Sequence, residues 1–228
     1  MMPPILWRRI VAVLVMVVAI PGCAKLLTDA PKPLFRVTAT RTFPADLPHV
    51  SAQLLIDVPL AAGALDTSRI ALANSPVDLN YFADGEWTDP APRLVQTALL
   101  ESFENSGTVT AIDRVTIGIR TDFVLKSELR HFEAVYDKPN APPQIWVALN
   151  VRLVKMPERS IVAQTLIEQN QQASANNIQQ IVLAFDAALS GATKQIVAWT
   201  VTNPSLSKRR AALLWSRFVH AMASGGGG

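Results

Sequence analysis

Three long stretches of alternating apolar and polar residues, at 123–136, 144–156 and 160–168, constrain the fold of this chain more than any other feature. Alternation with a period of two residues is typical of β-strands that bury one face. The intervening segments, DKPNAPP at 137–143 and PER at 157–159, contain the residue types that favour turns. The sequence therefore predicts three long strands joined by turns as an antiparallel meander.

The alternation in the first stretch changes phase after Arg130. Phe123 and Leu129 lie on one side before that point, whereas Phe132 and Ala134 are the apolar residues after it. A single extra residue shifts the phase of a strand in this way. We therefore predict either a bulge or a strand that crosses to the edge of the sheet.

Two other segments have the apolar spacing of amphipathic helices. In the first, 92–106, Asp89 is a candidate N-cap and a proline lies in the first turn. In the second, 178–201, the candidate caps are Asn176 and Asn177. The residues of the two apolar stripes are Leu94, Ala98, Leu99, Phe103, Ile181, Val182, Phe185, Leu189, Ile196 and Trp199.

Shorter alternating runs at 34–40, 52–58 and 109–115 predict further strands, and segment 68–87 predicts two more around turn residues. Strands and helices that are not regularly interleaved are typical of α+β proteins. The predicted fold is α+β, with a mostly antiparallel sheet of six or seven strands packed by two main helices, plus an extra C-terminal helix.

That extra helix is predicted within 204–223. The basic residues at its start and its aromatic side chains suggest contact with an anionic membrane or with a groove on a partner protein. A helix that simply packs against the domain fits the pattern equally well. The candidate contact residues are Arg209, Arg210, Trp215 and Phe218. The final residues, 224–228, read SGGGG and are typical of an added flexible linker.

The N-terminus has the pattern of a secretory signal. Two arginines, Arg8 and Arg9, precede an apolar run that is too short to span a bilayer comfortably. The run ends in IPGC, which resembles the bacterial lipobox; the resemblance implies cleavage after residues 1–22 and diacylation of Cys23. Residues 23–33 then form a short tether. The alternative is an uncleaved anchor helix, which would place the protein at the inner membrane.

Composition excludes several classes of function. The formal charge is +3, and cleavage removes two arginines, so the chain is not a nucleic-acid binder. Cys23 is the only cysteine, which excludes a disulfide framework and a cysteine metal site. The three histidines, His49, His131 and His220, lack metal-ligand spacing. We expect no cofactor other than the acyl chains on Cys23.

No catalytic motif is recognisable, so we expect a non-enzymatic protein. Glu128 and Glu133 near Arg130 suggest a carboxylate site, but a solvated pair of Glu128 and Arg130 is the simpler interpretation. For the tryptophans, including Trp87 and Trp146, core packing is the simpler interpretation. A further hypothesis is a lipid pocket lined by the stripe of the second long strand, although packing against helices also explains that stripe, which is Ile145, Val147, Leu149, Val151 and Leu153.

Taken in order, several segments resemble the ABC-type transport auxiliary lipoproteins, a family that includes the outer-membrane lipoprotein of the paraquat-inducible system. They are IPGC at 20–23, the run from Arg69 through Tyr81 to Trp87, DFVLKSELRHFEAVYD at 122–137 and NNIQQIVLAFDAAL at 176–189. The resemblance covers roughly 34–202, and we take 34–203 as the domain.

The resemblance implies a periplasmic α+β domain anchored by lipid. It also implies a partnership with a mammalian-cell-entry (MCE) protein and the permease and ATPase of its transporter, and a possible homo-oligomeric ring. Such systems move phospholipids or other hydrophobic molecules between the two membranes. Ala24 after the cysteine is not the aspartate associated with inner-membrane retention, so we expect the periplasmic face of the outer membrane. The alternative is an interaction lipoprotein that regulates another envelope machine, such as a cell-wall synthase.

Overall fold

A computed structural model describes residues 31–114 and 121–206 of the chain, and its folded unit begins at Pro33. Nine strands and two long helices make up the described part. The elements are β1 (Leu34–Phe35), β2 (Val50–Ile56), β3 (Leu60–Ala61), β4 (Arg69–Ala73), β5 (Asn80–Trp87), α1 (Ala91–Ser106), β6 (Val109–Asp113), β7 (Phe123–Val135), β8 (Gln144–Lys155), β9 (Ser160–Gln172) and α2 (Ile178–Thr202).

Strand β7 is the centre of the sheet and uses its two edges differently. One edge pairs antiparallel with β8 over the whole strand, from Phe123 opposite Lys155 to Val135 opposite Gln144. Strand β8 in turn pairs antiparallel with β9. Along the other edge of β7, the short strands β2, β3 and β4 pair in parallel with successive parts of it. Strand β6 extends β2, and β5 and β1 extend β4.

The predicted α+β class and the three-stranded meander are confirmed, but the expectation of a mostly antiparallel sheet of six or seven strands was wrong. The sheet has nine strands and is mixed. Turn residues reveal hairpins, in which neighbouring strands pair locally. The parallel partners of β7 meet it only after the chain has passed through α1, and such distant pairing leaves no local pattern. Strands β1 and β3, of two residues each, are too short to show a period.

The predicted phase change in β7 is a bulge. Leu129 lies opposite Leu149, and His131 lies opposite Ala148, so Arg130 has no partner residue on β8. The extra residue turns the side chains that follow to the other face of the sheet. Phe132 and Ala134 therefore continue the buried face that Leu129 belongs to.

The hydrophobic core lies between the sheet and the helices. Helix α2 packs on β8 and β9, and α1 packs beside α2. Trp87 is fully buried there, with ring centroids 5.6 Å from Phe132 and 5.3 Å from Phe185. Core packing is thus the correct interpretation of Trp87, and also of the stripe on β8. The hypothesis of a lipid pocket along that stripe was wrong, because its residues are completely buried under the helices: Ile145, Val147, Leu149, Val151 and Leu153.

Helix α2 begins where the sequence predicts. Asn177 is its N-cap, and the side-chain oxygen accepts a hydrogen bond of 3.0 Å from the backbone N–H of Gln180. Within the described residues, α2 is the one helix long and apolar enough by composition to cross a membrane. More than half of its most apolar window is buried inside the domain, so its hydropathy is that of a core helix.

Helix α1 begins differently from the prediction. Pro90, not Asp89, occupies the N-cap position, and no side chain caps the helix. The backbone supplies the missing bonds, since the N–H of Ala91 donates to the carbonyl of Thr67 and the N–H of Arg93 donates to the carbonyl of Pro90. The expected proline in the first turn is present as Pro92, where a missing N–H leaves no intrahelical bond unmade.

Residues 36–40 follow β1 without regular secondary structure, and we call them the N-terminal strap. The sequence predicts a strand over 34–40, but only β1 pairs with the sheet. Beyond it the strap is bonded to both helices. The hydroxyl of Thr38 donates to the carboxylate of Asp186 on α2 at 3.0 Å, and the N–H of Thr40 donates to Oγ of Ser102 on α1 at 3.0 Å. Side-chain bonds thus replace the ladder of a strand.

Candidate binding cleft on the open face of the sheet

Helix α2 packs on one face of the β7–β8–β9 meander, and we call the opposite face the open face, because neither α1 nor α2 of the described residues covers it. Because successive side chains of a strand alternate between faces, the residues that oppose the buried stripe lie on it. They include Lys126, Glu128, His131 and Glu133 of β7, Trp146, Asn150 and Arg152 of β8, and Gln164, Leu166 and Glu168 of β9.

A cleft of about 770 Å³ lies on the open face at the end of β7. Its floor is formed by His131, Glu133 and Trp146, and the loops that follow β3 and β4 form its walls. Most of the wall side chains are apolar: Ala62, Ala64, Leu65, Pro76, Val77 and Leu79. This volume lies in the range of ligand pockets, which is about 300–1,000 Å³.

The floor of the cleft is a fixed polar and aromatic arrangement. The ring of His131 stacks on Trp146, with centroids 3.4 Å apart and an angle of 10° between the planes. Nδ1 of His131 lies 2.6 Å from Oε1 of Glu133, and Oε2 of Glu133 accepts a bond of 2.7 Å from the backbone N–H of Phe132. Buried carboxylates need such partners. Both carboxylate oxygens of Glu133 therefore have hydrogen-bond partners within the domain.

The bulge at Arg130 produces this arrangement. It places His131 and Glu133 on the open face, and the register sets Glu133 directly opposite Trp146, with His131 one step along. Residues diagonal across an antiparallel pair are within reach of aromatic rings. The phase change and the turn residues both predict parts of this arrangement, but the stacked pair was missed because it depends on the two together.

The walls of the cleft are held by short-range polar contacts. Oδ1 of Asp78 accepts bonds from the backbone N–H groups of Asn74 and Ser75, at 2.9 and 2.8 Å, which closes the β4–β5 turn. On the other wall, the hydroxyl of Tyr81 donates to the carbonyl of Ala64 at 3.0 Å. At the tip of the turn, Val77 is 95% exposed. The hydrogen-bonded β4–β5 turn thus keeps the apolar side chain of Val77 in solvent at the rim of the cleft.

Tyr136 lines the same cleft near its end. Its hydroxyl donates to Oδ1 of Asn176 at 2.7 Å. Burial raises the pKa of Tyr136 above the ordinary value of 10.0, because removing the ring from water disfavours the phenolate. The neutral hydroxyl is therefore the form in which this residue joins the end of β7 to the start of α2.

A second, smaller cleft of about 420 Å³ adjoins β7 farther along the open face. Lys126 and Asp57 bridge it with an ion pair of 2.7 Å, and Leu60 is largely exposed beside it. Glu128 lines this cleft and pairs at 3.4 Å with Arg130, and both side chains are nearly half exposed. The interpretation of Glu128 and Arg130 as a solvated charge pair is confirmed, and Glu133 does not join them.

The remaining candidate residues are dispersed or lie elsewhere. His49 contacts the carbonyl of Gly107 at 2.9 Å, far along the sequence from His131. Residues 31–114 and 121–206 contain no group of three side chains suited to a metal ion. The predicted lipidation site and the predicted contacts of the C-terminal helix lie outside the described residues: Cys23, Arg209, Arg210, Trp215 and Phe218.

Chemically, the cleft offers binding more readily than catalysis. Apolar walls and a stacked aromatic floor would hold a hydrocarbon or aromatic group by excluding water from it. The polar groups of the floor and of the β4–β5 turn already bond to each other or to the backbone.

The family model of the ABC-type transport auxiliary lipoprotein component matches residues 35–197, most of the chain and nearly all of the described fold. The chain belongs to this family. The cleft, the meander, α1 and most of α2 lie within the matched residues, and the family description is that of a transport component.

Several proteins are similar to this chain in sequence or in fold. The crystal structure of a Xanthomonas campestris protein superposes with a TM-score of 0.71 at 26% identity, covering 77% of this chain and 99% of that one. Another solved structure, of an uncharacterized protein, shares the fold with a TM-score of 0.54 at 11% identity, covering 70% and 97% of the two chains. An uncharacterized protein of Bradyrhizobium diazoefficiens is 33% identical over 153 residues, which is 67% of this chain but only 40% of that relative.

Proposed function

We propose that this chain is a non-enzymatic, lipid-anchored periplasmic subunit of an MCE-type ABC transporter, which moves phospholipids or other hydrophobic molecules between the inner and outer membranes. The family match over residues 35–197 carries the proposal, because it identifies an auxiliary lipoprotein of ABC-type transport. The lipobox-like IPGC at 20–23 supports the anchor, and Ala24 after it favours the periplasmic face of the outer membrane.

The proposed partners are an MCE-domain protein and the permease and ATPase that act with it. A subunit that completes a conduit needs an anchor and a folded domain, and it needs no catalytic residues. The described domain fits this role, since it contains a largely apolar cleft whose floor has polar groups that bond among themselves. Assembly of several copies into a ring belongs to the same proposal.

Co-purification from native membranes tests the partnership. The tagged full-length chain, extracted in mild detergent, should bring down an MCE protein together with a permease and an ATPase. Cys23→Ser should weaken recovery from the outer membrane but keep binding to the MCE protein in detergent, because the folded domain makes the contact. Recovery of a cell-wall synthase without any MCE protein would favour the alternative role and contradict this one.

Within the proposed function, we assign the cleft to a hydrocarbon group of the transported molecule. The assignment rests on its volume, its apolar walls and the exposed Val77 at its rim. Lipids extracted from the purified chain should fall severalfold in Val77→Asp, because a charge at the rim disfavours entry of an acyl chain. Leu183→Asp, an exposed leucine on α2, is the matched control. Equal lipid in both variants would exclude the cleft as the site.

A further inference from the structure

The smaller cleft on the open face contains two like charges directly opposite each other. Lys126 on β7 faces Arg152 on β8 across the antiparallel pair, and both line this cleft of about 420 Å³. Side chains in such positions have Cβ atoms about 4.5–5.5 Å apart, and like charges there are destabilising. Asp57 offsets one of the two cations through its ion pair of 2.7 Å with Lys126. One net positive charge therefore remains between the two strands.

Arg152 has hydrogen-bond donors that the fold does not use. In residues 31–114 and 121–206, its one hydrogen bond runs from Nε to Oε1 of Gln164, at 3.3 Å. The terminal N–H groups of the guanidinium are therefore left for a ligand, in a side chain that is only partly exposed. A guanidinium binds two oxygens of a phosphate group with paired hydrogen bonds. These donors and the remaining charge together suit a phosphodiester, which carries a single negative charge.

Asp66 provides the opposite charge on the wall of the same cleft. It is exposed, and its carboxylate has no hydrogen bond or ion pair within the described part of the chain. The other carboxylates that line the cleft are paired, Asp57 with Lys126 and Glu128 with Arg130. The smaller cleft thus has one unmatched cation and one unmatched carboxylate. This charge pattern complements a zwitterionic headgroup.

The smaller cleft adjoins the larger cleft at the end of β7. Ala61 lines the smaller one and Ala62 lines the larger one, so the two meet beside β3. Trp146, on the floor of the larger cleft, lies six residues before Arg152 on β8, which is about 20 Å at about 3.3 Å per residue. The acyl chains of one leaflet extend about 15 Å, half of the hydrocarbon core of a bilayer. A phosphate at Arg152 would therefore place an acyl chain of the same molecule over the larger cleft.

We infer that the smaller cleft binds the headgroup of a zwitterionic phospholipid, with its phosphate at Arg152 and Lys126 and its amine at Asp66. This inference rests on the proposed transport function, in which the larger cleft holds the hydrocarbon of the transported molecule. It adds a headgroup site that selects by charge. A zwitterion matches both unmatched groups, whereas an anionic headgroup without an amine leaves the carboxylate of Asp66 unpaired.

Lipid binding by the full-length chain in detergent tests the site. The protein is titrated with mixed micelles that contain equal amounts of phosphatidylethanolamine and phosphatidylglycerol, and the bound lipids are identified by native mass spectrometry. We expect the wild type to prefer phosphatidylethanolamine. Arg152→Gln should lower the affinity for it about tenfold, which is the scale of one hydrogen bond to a charged group. Arg93→Gln, on an exposed arginine of α1, is the matched control and should not change it.

Asp66→Asn separates selectivity from affinity. Loss of the carboxylate should lower the preference for phosphatidylethanolamine over phosphatidylglycerol severalfold while the total bound lipid stays the same. Asp84→Asn, on an exposed aspartate of β5, is the matched control and should keep the preference. Inorganic phosphate, added as a competitor, should displace little lipid, because it offers neither an amine to Asp66 nor a chain to the larger cleft.

Three results would overturn the headgroup site. They are equal affinity of Arg152→Gln and the wild type, equal binding of the two lipids by the wild type, and displacement of the lipid by phosphate, which would make the cleft a site for the free ion. Arg152→Lys checks the fold, since it keeps the charge and should keep most of the affinity.

These results are distinct from failure of the proposed function. If Val77→Asp loses lipid and Arg152→Gln does not, the larger cleft keeps its assignment and only the headgroup site is rejected. If the wild type binds no lipid, both clefts lose their assignments, while the partnership with an MCE protein is still decided by co-purification.

Discussion

At the scale of single residues, two carboxylates that line the cleft form hydrogen bonds with neighbouring groups of the same domain. Glu133 bonds to His131 and to the backbone of Phe132. Asp78 bonds to two backbone N–H groups of its own turn. These bonds give both carboxylates a structural role, since Glu133 fixes the floor of the cleft and Asp78 fixes one of its walls.

Tyr136 gives a prediction about pH. Its pKa in the folded chain is raised by burial, so the stability it contributes is present below pH 10.0 and is lost as the pH rises through the folded-state value. The chain has two tyrosines. In Tyr81→Phe, the remaining tyrosinate absorbance should therefore appear above pH 10.0 while the protein is folded.

The matched variant is Tyr136→Phe, in which the loss of stability at alkaline pH should be smaller than in the wild type. Chemical denaturation at neutral and alkaline pH measures this difference. A Tyr81→Phe protein whose remaining tyrosine titrates at or below pH 10.0 in the folded state would contradict the assignment of the shift to burial.

At the scale of elements, β1 is a strand of two residues that pairs with β5, and Gly85 lies at its contact with β5. A Cβ added at Gly85 would lie 2.5 Å from Cε2 of Phe35, whereas one added at Gly63 would have no heavy atom within 4 Å. Gly85→Ala should therefore lower the free energy of unfolding by about 1–3 kcal/mol, the usual cost of overpacking. Gly63→Ala should be neutral or raise it by about 0.4–1 kcal/mol.

Thermal denaturation measures both glycine variants, and hydrogen exchange locates the effect. Amides of β1 and of the N-terminal strap should exchange faster in Gly85→Ala than in the wild type, whereas those of β8 should not change. Equal stability of the two variants would mean that Phe35 moves aside freely and that β1 does not depend on the missing Cβ.

Contacts between residues that are close in sequence could be predicted, whereas contacts between distant residues could not. Three features were predictable because the apolar period, its change of phase and the turn residues all lie near them in sequence. These are the meander of β7, β8 and β9, the bulge at Arg130 and the cap of α2. The parallel contacts of β2, β3 and β4 with β7 were not predictable, because no residue near them in sequence reflects the partner. The cleft was missed for the same reason, since its floor and walls come from strands and loops far apart along the chain.

At the scale of the whole molecule, the decisive question is how Cys23 is processed. We predict that the intact mass of the membrane-extracted protein equals Cys23 to the C-terminus plus acyl chains. Cys23→Ser should leave the acyl chains off and move most of the protein out of the outer-membrane fraction, because two or three chains, at about 0.8 kcal/mol per buried CH₂, provide the anchor.

Ala24→Asp is the matched control for that experiment. It should keep the acylated mass but increase retention at the inner membrane, which separates anchoring from sorting. An unmodified mass that begins at Met1 or Met2 would contradict lipidation and would make the N-terminal apolar run the anchor.

The N-terminal strap has a mechanical consequence for a domain tethered to a membrane. A pull on the chain before Pro33 would first reach β1, whose two residues can be peeled from β5 one bond at a time. Load would next fall on Thr38 and Thr40, which are bonded to Asp186 of α2 and Ser102 of α1. The domain would therefore yield first at its entry point, where β1 and the strap would detach from α1 and α2 before the strands of the meander separated.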